Sequence, residues 1–210
     1  MKKGFFITIE GGEACGKSTQ VNLLKDYFKN NFSEDDYLFV REPGGTPLAE
    51  EIRNLLLFYK EEKPLPITEL LLFCAARAQN THTRIIPALK EGKIVIADRF
   101  YDSTLAYQGE ARKIMDKSQL LNLTQTIIGD LKPDLTFYLK LSPEEAFKRK
   151  KSNEALDRIE SEGIEFHKAV ARGYDYISSL ENNRFCTIDA SLSPEEIFKI
   201  IKSEIEKRIN

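Results

Sequence analysis

The chain has 210 residues, 41% apolar and 30% charged, a balance that fits one globular domain with a real core and excludes a disordered chain. A formal net charge of −2 excludes a broadly basic protein, so neither a nucleic-acid nor a membrane-surface partner is expected. Cys15, Cys74 and Cys186 form no C-x-x-C pair, which argues against a disulfide framework or a zinc site and for reduced thiols in a cytoplasmic setting. The first apolar run, Phe5 to Ile9, is too short for a signal-peptide core and reads as a strand buried on both faces. A glycine-rich turn follows, then a helix from Ser18 to Lys29 with Val21, Leu24 and Phe28 on one stripe. Tyr37 to Val40 is a second strand, ending at Arg41-Glu42-Pro43-Gly44-Gly45. Helices are expected from Leu48 to Tyr59 and from Thr68 to Thr81, separated by Pro64 and Pro66. Ile94 to Ala97, Leu135 to Leu141 and Arg184 to Ile188 are three further strands, with helical patterns between them. Ser193-Pro194 opens a last helix as an N-cap followed by proline. Strands alternating with helices imply a five-stranded parallel sheet in a three-layer α/β domain spanning residues 1–210, with ligands at the carboxyl ends of the strands.

Gly11-Gly12-Glu13-Ala14-Cys15-Gly16-Lys17-Ser18 matches G-x-x-x-x-G-K-[ST] in full, after a strand and before a helix. Glycines let the backbone wrap with its N–H groups inward, and the following helix adds partial positive charge. Lys17 can reach the β- and γ-phosphates of a nucleotide, and the Ser18 hydroxyl can ligate Mg²⁺. Asp98 ends the third strand as a second magnesium-holding group would. Arg41, Arg77 and Arg99 fall at strand ends or on a helix beside the cleft, which suits an acceptor that carries phosphate. No guanine-specifying N-K-x-D motif is present. Another small P-loop kinase and a nucleotide-binding switch remain as alternatives at this level. The basic segment 148–154 reads either as a solvated helix end or as a flap over an anionic ligand.

Five blocks narrow the choice: Glu10-Gly11 to Ser18-Thr19, Arg41-Glu42-Pro43-Gly44-Gly45-Thr46, Leu72-Phe73-Cys74-Ala75-Ala76-Arg77, Asp98-Arg99 through Gln108-Gly109, and Leu156-Asp157-Arg158-Ile159-Glu160. Together they resemble the bacterial thymidylate kinase family, from the first strand to the last helix. The resemblance implies a P-loop nucleoside monophosphate kinase fold and transfer of phosphoryl from ATP, with Mg²⁺, to dTMP. It also implies a homodimer and a lid at about 148–160. It assigns ATP binding to Gly11, Gly12, Glu13, Ala14, Cys15, Gly16, Lys17, Ser18 and Thr19, with Arg149 on adenine. Phe73 would stack on thymine, Arg77 would donate to a base carbonyl, and Thr104 and Gln108, four apart on one helix face, would complete the pocket. Tyr107 would exclude a ribose 2′-hydroxyl, and Arg99 would grip the acceptor phosphate. Glu42, Arg53 and Ser103 join the acceptor side, and Glu13 lies near its sugar and phosphate. Ala14 stands where one branch of the family has a P-loop arginine, so the chain resembles the branch whose basic residues sit in the lid. Lys151 and Asn153 occupy positions that can be arginine there. Lys150, Lys151 and Arg158 are thus the candidates for stabilising the transferred phosphoryl, beside the catalytic Lys17, Glu13 and Arg99.

Overall fold

The computed structural model describes residues 4–59, 61–149 and 157–209. Lys150, Lys151 and Asn153 lie outside the described residues. Five strands form one parallel sheet: β1 (Phe5–Gly11), β2 (Tyr37–Arg41), β3 (Ile94–Asp98), β4 (Leu135–Lys140) and β5 (Phe185–Asp189), in the order β2-β3-β1-β4-β5. The expected strands are present, displaced by a residue or two at their ends. The register sets Ile9 of β1 opposite Asp98 of β3, and Asp98 opposite Arg41 of β2, so three chain segments leave the sheet along one line.

Alternate strand residues feed two cores. Ile7, Ile9, Ile94, Ile96, Phe137 and Leu139 pack against α1 (Lys17–Asn31) and α9 (Pro194–Ile209). Phe6, Val95, Ala97 and Tyr138 face the other way. That face is covered by α2 (Pro47–Phe58), α3 (Pro66–Asn80), α4 (Ile86–Lys90), α5 (Tyr101–Thr104), α6 (Lys117–Ile128) and α8 (Ile164–Leu180). Helix α7 (Pro143–Arg149) follows β4. The helix starts follow local chemistry. Pro47 and Pro66 stand in first turns, where a missing N–H costs nothing, and Thr46 and Ser193 accept from backbone N–H groups of α2 and α9. Among the described residues, no helix is long and apolar enough to cross a membrane.

Two stretches wind more widely than an α-helix. Thr81–Ile85 joins α3 to α4 as a π-helical turn, and Leu105–Ala111 continues α5 in the same form. The second carries Gln108, so the expected Thr104–Gln108 helix face exists on a π-helix. Helix α8 crosses this segment at backbone distance: a Cβ on Gly173 would stand 2.7 Å from the Ala106 Cα. Below the site, the Asp102 carboxylate is fully buried and takes both terminal nitrogens of Arg184, at 2.7 and 2.8 Å. This pair anchors the segment after β3 to the strand edge at β5. Replacing Asp102 with Ala leaves a buried guanidinium undercompensated and should lower the unfolding free energy by ~3 kcal/mol, read from the urea midpoint.

Candidate active site

The phosphate-binding loop is shaped by positive backbone angles. Gly11 (φ 147°) and Gly16 (φ 92°) bracket it, and Ala14 (φ 53°) adopts the left-handed region between them. A Cβ at Gly11 would meet the Leu139 carbonyl oxygen at 2.6 Å, so only glycine fits where β1 runs against β4. The start of α1 has Gly16 as its cap and no side-chain acceptor, so its first N–H groups are available to an anion. Lys17 folds back over the loop, donating to the carbonyls of Gly11 (3.2 Å) and Gly12 (2.5 Å). Cys15 is buried beneath, its thiol donating to the Gly12 carbonyl at 3.1 Å.

A cavity of about 490 Å³ opens beside this loop. Its lining brings together Glu13, Ala14, Gly16, Lys17, Ser18 and Thr19 with Glu42, Arg53, Phe73, Arg77, Asp98, Arg99, Ser103, Thr104, Tyr107, Gln108 and Arg149. Most of the residues singled out from sequence thus share one space. Gly11, Gly12 and Cys15 belong to the loop backbone behind it. Arg158 is placed differently: its guanidinium bonds to the Leu56 carbonyl (3.0 Å) and lies 2.7 Å from Glu69, away from the cavity lining. Its neighbour Asp157 does line the cavity and caps a turn by accepting from the N–H groups of Ile159 and Glu160, both at 2.8 Å.

Arg99 is the centre of the polar network. Its backbone is left-handed (φ 70°) and its N–H donates to the Ile9 carbonyl at 3.0 Å, which turns the chain sharply out of β3. Its guanidinium donates to the Gly11 carbonyl (2.8 Å), Glu13 (2.8 Å), Ser103 (3.3 Å), Tyr107 (3.2 Å) and Tyr174 (3.1 Å). Burial works against its charge, but Tyr107, Glu13, Tyr174 and Glu10 outweigh that and hold its pKa well above the ordinary arginine value. Arg77, 2% exposed, donates to Glu42 (2.7 Å), the Thr104 hydroxyl (2.7 Å) and the Phe100 carbonyl (3.2 Å). Burial raises the pKa of Glu42, and Arg77 partly offsets it. Arg53 donates to the Pro43 carbonyl at 2.9 Å, which holds it at the cavity wall. Tyr174, Glu69 and Arg112 were not identified from sequence. Tyr174 falls on the apolar stripe of α8, and only the tight crossing at Gly173 shows that its hydroxyl reaches Ser103 and Glu10, each at 2.8 Å.

Comparisons with known proteins point to one family. The family profile described as Thymidylate kinase matches residues 9–201. The chain is 45% identical over 214 aligned positions to a thymidylate kinase of Chlorobium chlorochromatii (strain CaD3), covering 97% of this chain and 95% of that one. It is 46% identical to a thymidylate kinase of Chlorobaculum tepidum, covering 95% and 96%. Among solved structures, the crystal structure of thymidylate kinase from Ehrlichia chaffeensis superposes with a TM-score of 0.77 at 31% identity, covering 96% of this chain and 98% of that one.

Beneath the network, the fully buried Glu10 accepts from the Phe100 N–H (2.7 Å), the Ser103 hydroxyl (2.7 Å) and the Tyr174 hydroxyl (2.8 Å). Burial, and then the neighbouring Asp102, push its pKa up from 4.5 to about 7. The folded state therefore keeps a proton that the unfolded chain releases, and this contribution to stability falls as pH rises from 4.5 through 7. Relative to Glu10→Gln, the parent protein should lose on the order of 3 kcal/mol of unfolding free energy across that window. Urea titrations of both proteins at several pH values read the difference, and a flat difference would contradict the shift.

Proposed function

The chain belongs to the thymidylate kinase family, and on that premise we propose how its cavity carries the reaction. The protein phosphorylates dTMP to dTDP with ATP, a step in dTTP synthesis. The observation that carries the reading is that one cavity joins an uncapped helix start at Lys17 to the guanidinium groups of Arg77, which is buried, and of Arg53 and Arg99, which are partly buried.

In this reading the polyphosphate of ATP lies on the amides of residues 11–19, with Lys17 along the β- and γ-phosphates and Arg149 against adenine. Lys17 is held by loop carbonyls and needs only a short swing to reach a phosphate. The acceptor enters from the other side. Phe73 stacks on thymine, Arg77 and Gln108 meet the base edge, Thr104 supports Arg77, and Tyr107 closes the sugar face. Arg99 binds the acceptor phosphate and sets one of its oxygens in line with the γ-phosphorus, while Glu13, bonded to both Arg99 and Tyr107, orients them. Glu42 fixes Arg77, Ser103 braces Arg99, and Arg53 adds positive charge at the wall.

Mg²⁺ fits the residues present. The buried Oδ1 of Asp98 has no hydrogen-bond partner among the described residues, and Ser18 shares its cavity. Ser18 and Asp98 would hold the ion, directly or through water, and bound Mg²⁺ would neutralise phosphate charge. No group of three His, Cys, Asp or Glu side chains that could hold a metal occurs among the described residues, so phosphate and water oxygens would complete the shell. Because the Arg158 guanidinium is committed to Glu69, Lys151 or its neighbour Lys150 is the better choice for the transferred phosphoryl. We read residues 1–210 as one domain with a lid at about 148–160, working in the cytoplasm on free nucleotides. A homodimer is supported by exposed apolar residues of α2, α3 and the loop between them, including Leu48, Leu55, Phe58, Leu65 and Leu71.

A coupled assay of ADP release with dTMP, dUMP, dCMP, dGMP and AMP tests the reading, with dTMP expected as the best acceptor by far. Lys17→Ala should lower turnover by orders of magnitude with an unchanged circular-dichroism spectrum. Arg77→Ala should reduce selectivity among monophosphates more than it raises the KM for ATP; unchanged selectivity would remove Arg77 from the base pocket.

A further inference from the structure

Glu69 lies in the first turn of α3 and is 1% exposed. Its Oε1 accepts from the Gln108 side-chain amide at 2.9 Å and from Arg112 Nε at 3.3 Å. Its Oε2 takes Arg112 Nη2 at 3.2 Å and lies 2.7 Å from Arg158 Nη1. The same Arg112 Nη2 also lies 2.8 Å from Glu162, and the guanidinium lies over the Phe166 ring, 4.4 Å from its centre. Of these groups only Gln108 lines the cavity.

An ionised carboxylate only accepts hydrogen bonds, so the end of the Gln108 amide that faces it has to be the NH₂. The carbonyl oxygen sits on the opposite arm of the same planar group. We propose that Glu69 is a positioning residue for base selectivity. By taking the Gln108 N–H, it leaves Gln108 offering the cavity an acceptor, and so selects a pyrimidine whose N3 carries a proton. This rests on the reading of Phe73, Arg77, Thr104 and Gln108 as the base pocket. Thymine presents an N3–H beside the O4 carbonyl. Cytosine presents a lone pair at N3 beside an amino group. Arg77 supplies donors in the same pocket: three of its N–H groups are bonded to protein, and a guanidinium has about five. A donor at Arg77 and a fixed acceptor at Gln108 match the thymine edge and oppose cytosine at both positions. A glutamine free to turn its amide over would match either base at N3, leaving only Arg77 to oppose cytosine. Glu69 thus acts from behind the pocket wall, and Arg112 and Arg158 hold it there.

The test compares kcat/KM for dTMP and for 5-methyl-dCMP, which differ only at N3 and C4, with ATP as donor. In Glu69→Gln the new amide can donate or accept, which frees Gln108 to turn. The preference for dTMP should fall about 10- to 100-fold, while the KM for ATP stays within about threefold. Gln108→Ala should lower the preference to a similar extent. Adding Glu69→Gln to Gln108→Ala should change it no further, because Glu69 acts through Gln108. A preference lowered by Gln108→Ala but intact in Glu69→Gln overturns the proposal and leaves the base pocket standing. A preference untouched by Gln108→Ala removes the base-pocket reading and the proposal together. Glu69→Asp keeps a group that only accepts and should keep the preference. If Glu69→Gln does not fold, the aspartate variant decides: a folded Glu69→Asp protein that has lost discrimination overturns the proposal.

Discussion

The Arg99 guanidinium donates to the carbonyl that ends β1, to Glu13 in the loop, to Ser103 and Tyr107 on the segment after β3, and to Tyr174 of α8. Four parts of the chain are thereby referred to one rigid, planar cation. Its backbone sits in a left-handed conformation that a non-glycine residue adopts at a cost of about 1–3 kcal/mol, and it persists only where the surroundings overdetermine it. Those surroundings are supplied by its N–H bond to Ile9 and its five side-chain partners. The phosphate-binding loop and the segment after β3 can hold a fixed separation because both bond to this residue.

Around and behind the cavity lie several charged pairs. Arg77 with Glu42, Arg184 with Asp102, and Arg112 and Arg158 with Glu69 are all substantially removed from water. Such pairs add little net stability, since desolvation offsets much of the attraction, but breaking one leaves a partner stranded. Their effect here is to fix direction. Each guanidinium is planar and bonded along two or more edges, so the groups that line the cavity have few alternative arrangements.

Sequence reading located the fold, and picked out residues most of which share one cavity, because both depend on local pattern. Continuous apolar runs placed the five strands, and the loop glycines with Lys17 and Ser18 marked one part of the cavity lining. Blocks of neighbouring residues around Glu42, Phe73 and Arg99 marked another. What escaped depends on long-range contact. Tyr174 occupies a core position on the α8 stripe, and Glu69 looks like an ordinary first-turn acid of α3. Neither reveals its partners until α8 and the π-helical segment are packed. The widened turns at Thr81–Ile85 and Leu105–Ala111 also have no composition cue, being set by what the helix must accommodate. Arg158 shows the converse: its place in the expected lid segment made it a candidate for the transferred phosphate, whereas its side chain lies against Glu69 and the Leu56 carbonyl.

The contact of Gly173 with Ala106 fixes, through the main chain, how closely α8 packs on the segment that carries the lining residues Tyr107 and Gln108. A wall made of side chains can be moved by a rotamer change or trimmed by a single substitution. A wall set by two touching backbones yields only if a whole helix shifts, and Tyr138, stacked on Tyr174, opposes that shift. The space beside this segment would therefore be widened more readily by shortening Tyr107, a lining side chain, than by spreading the helices.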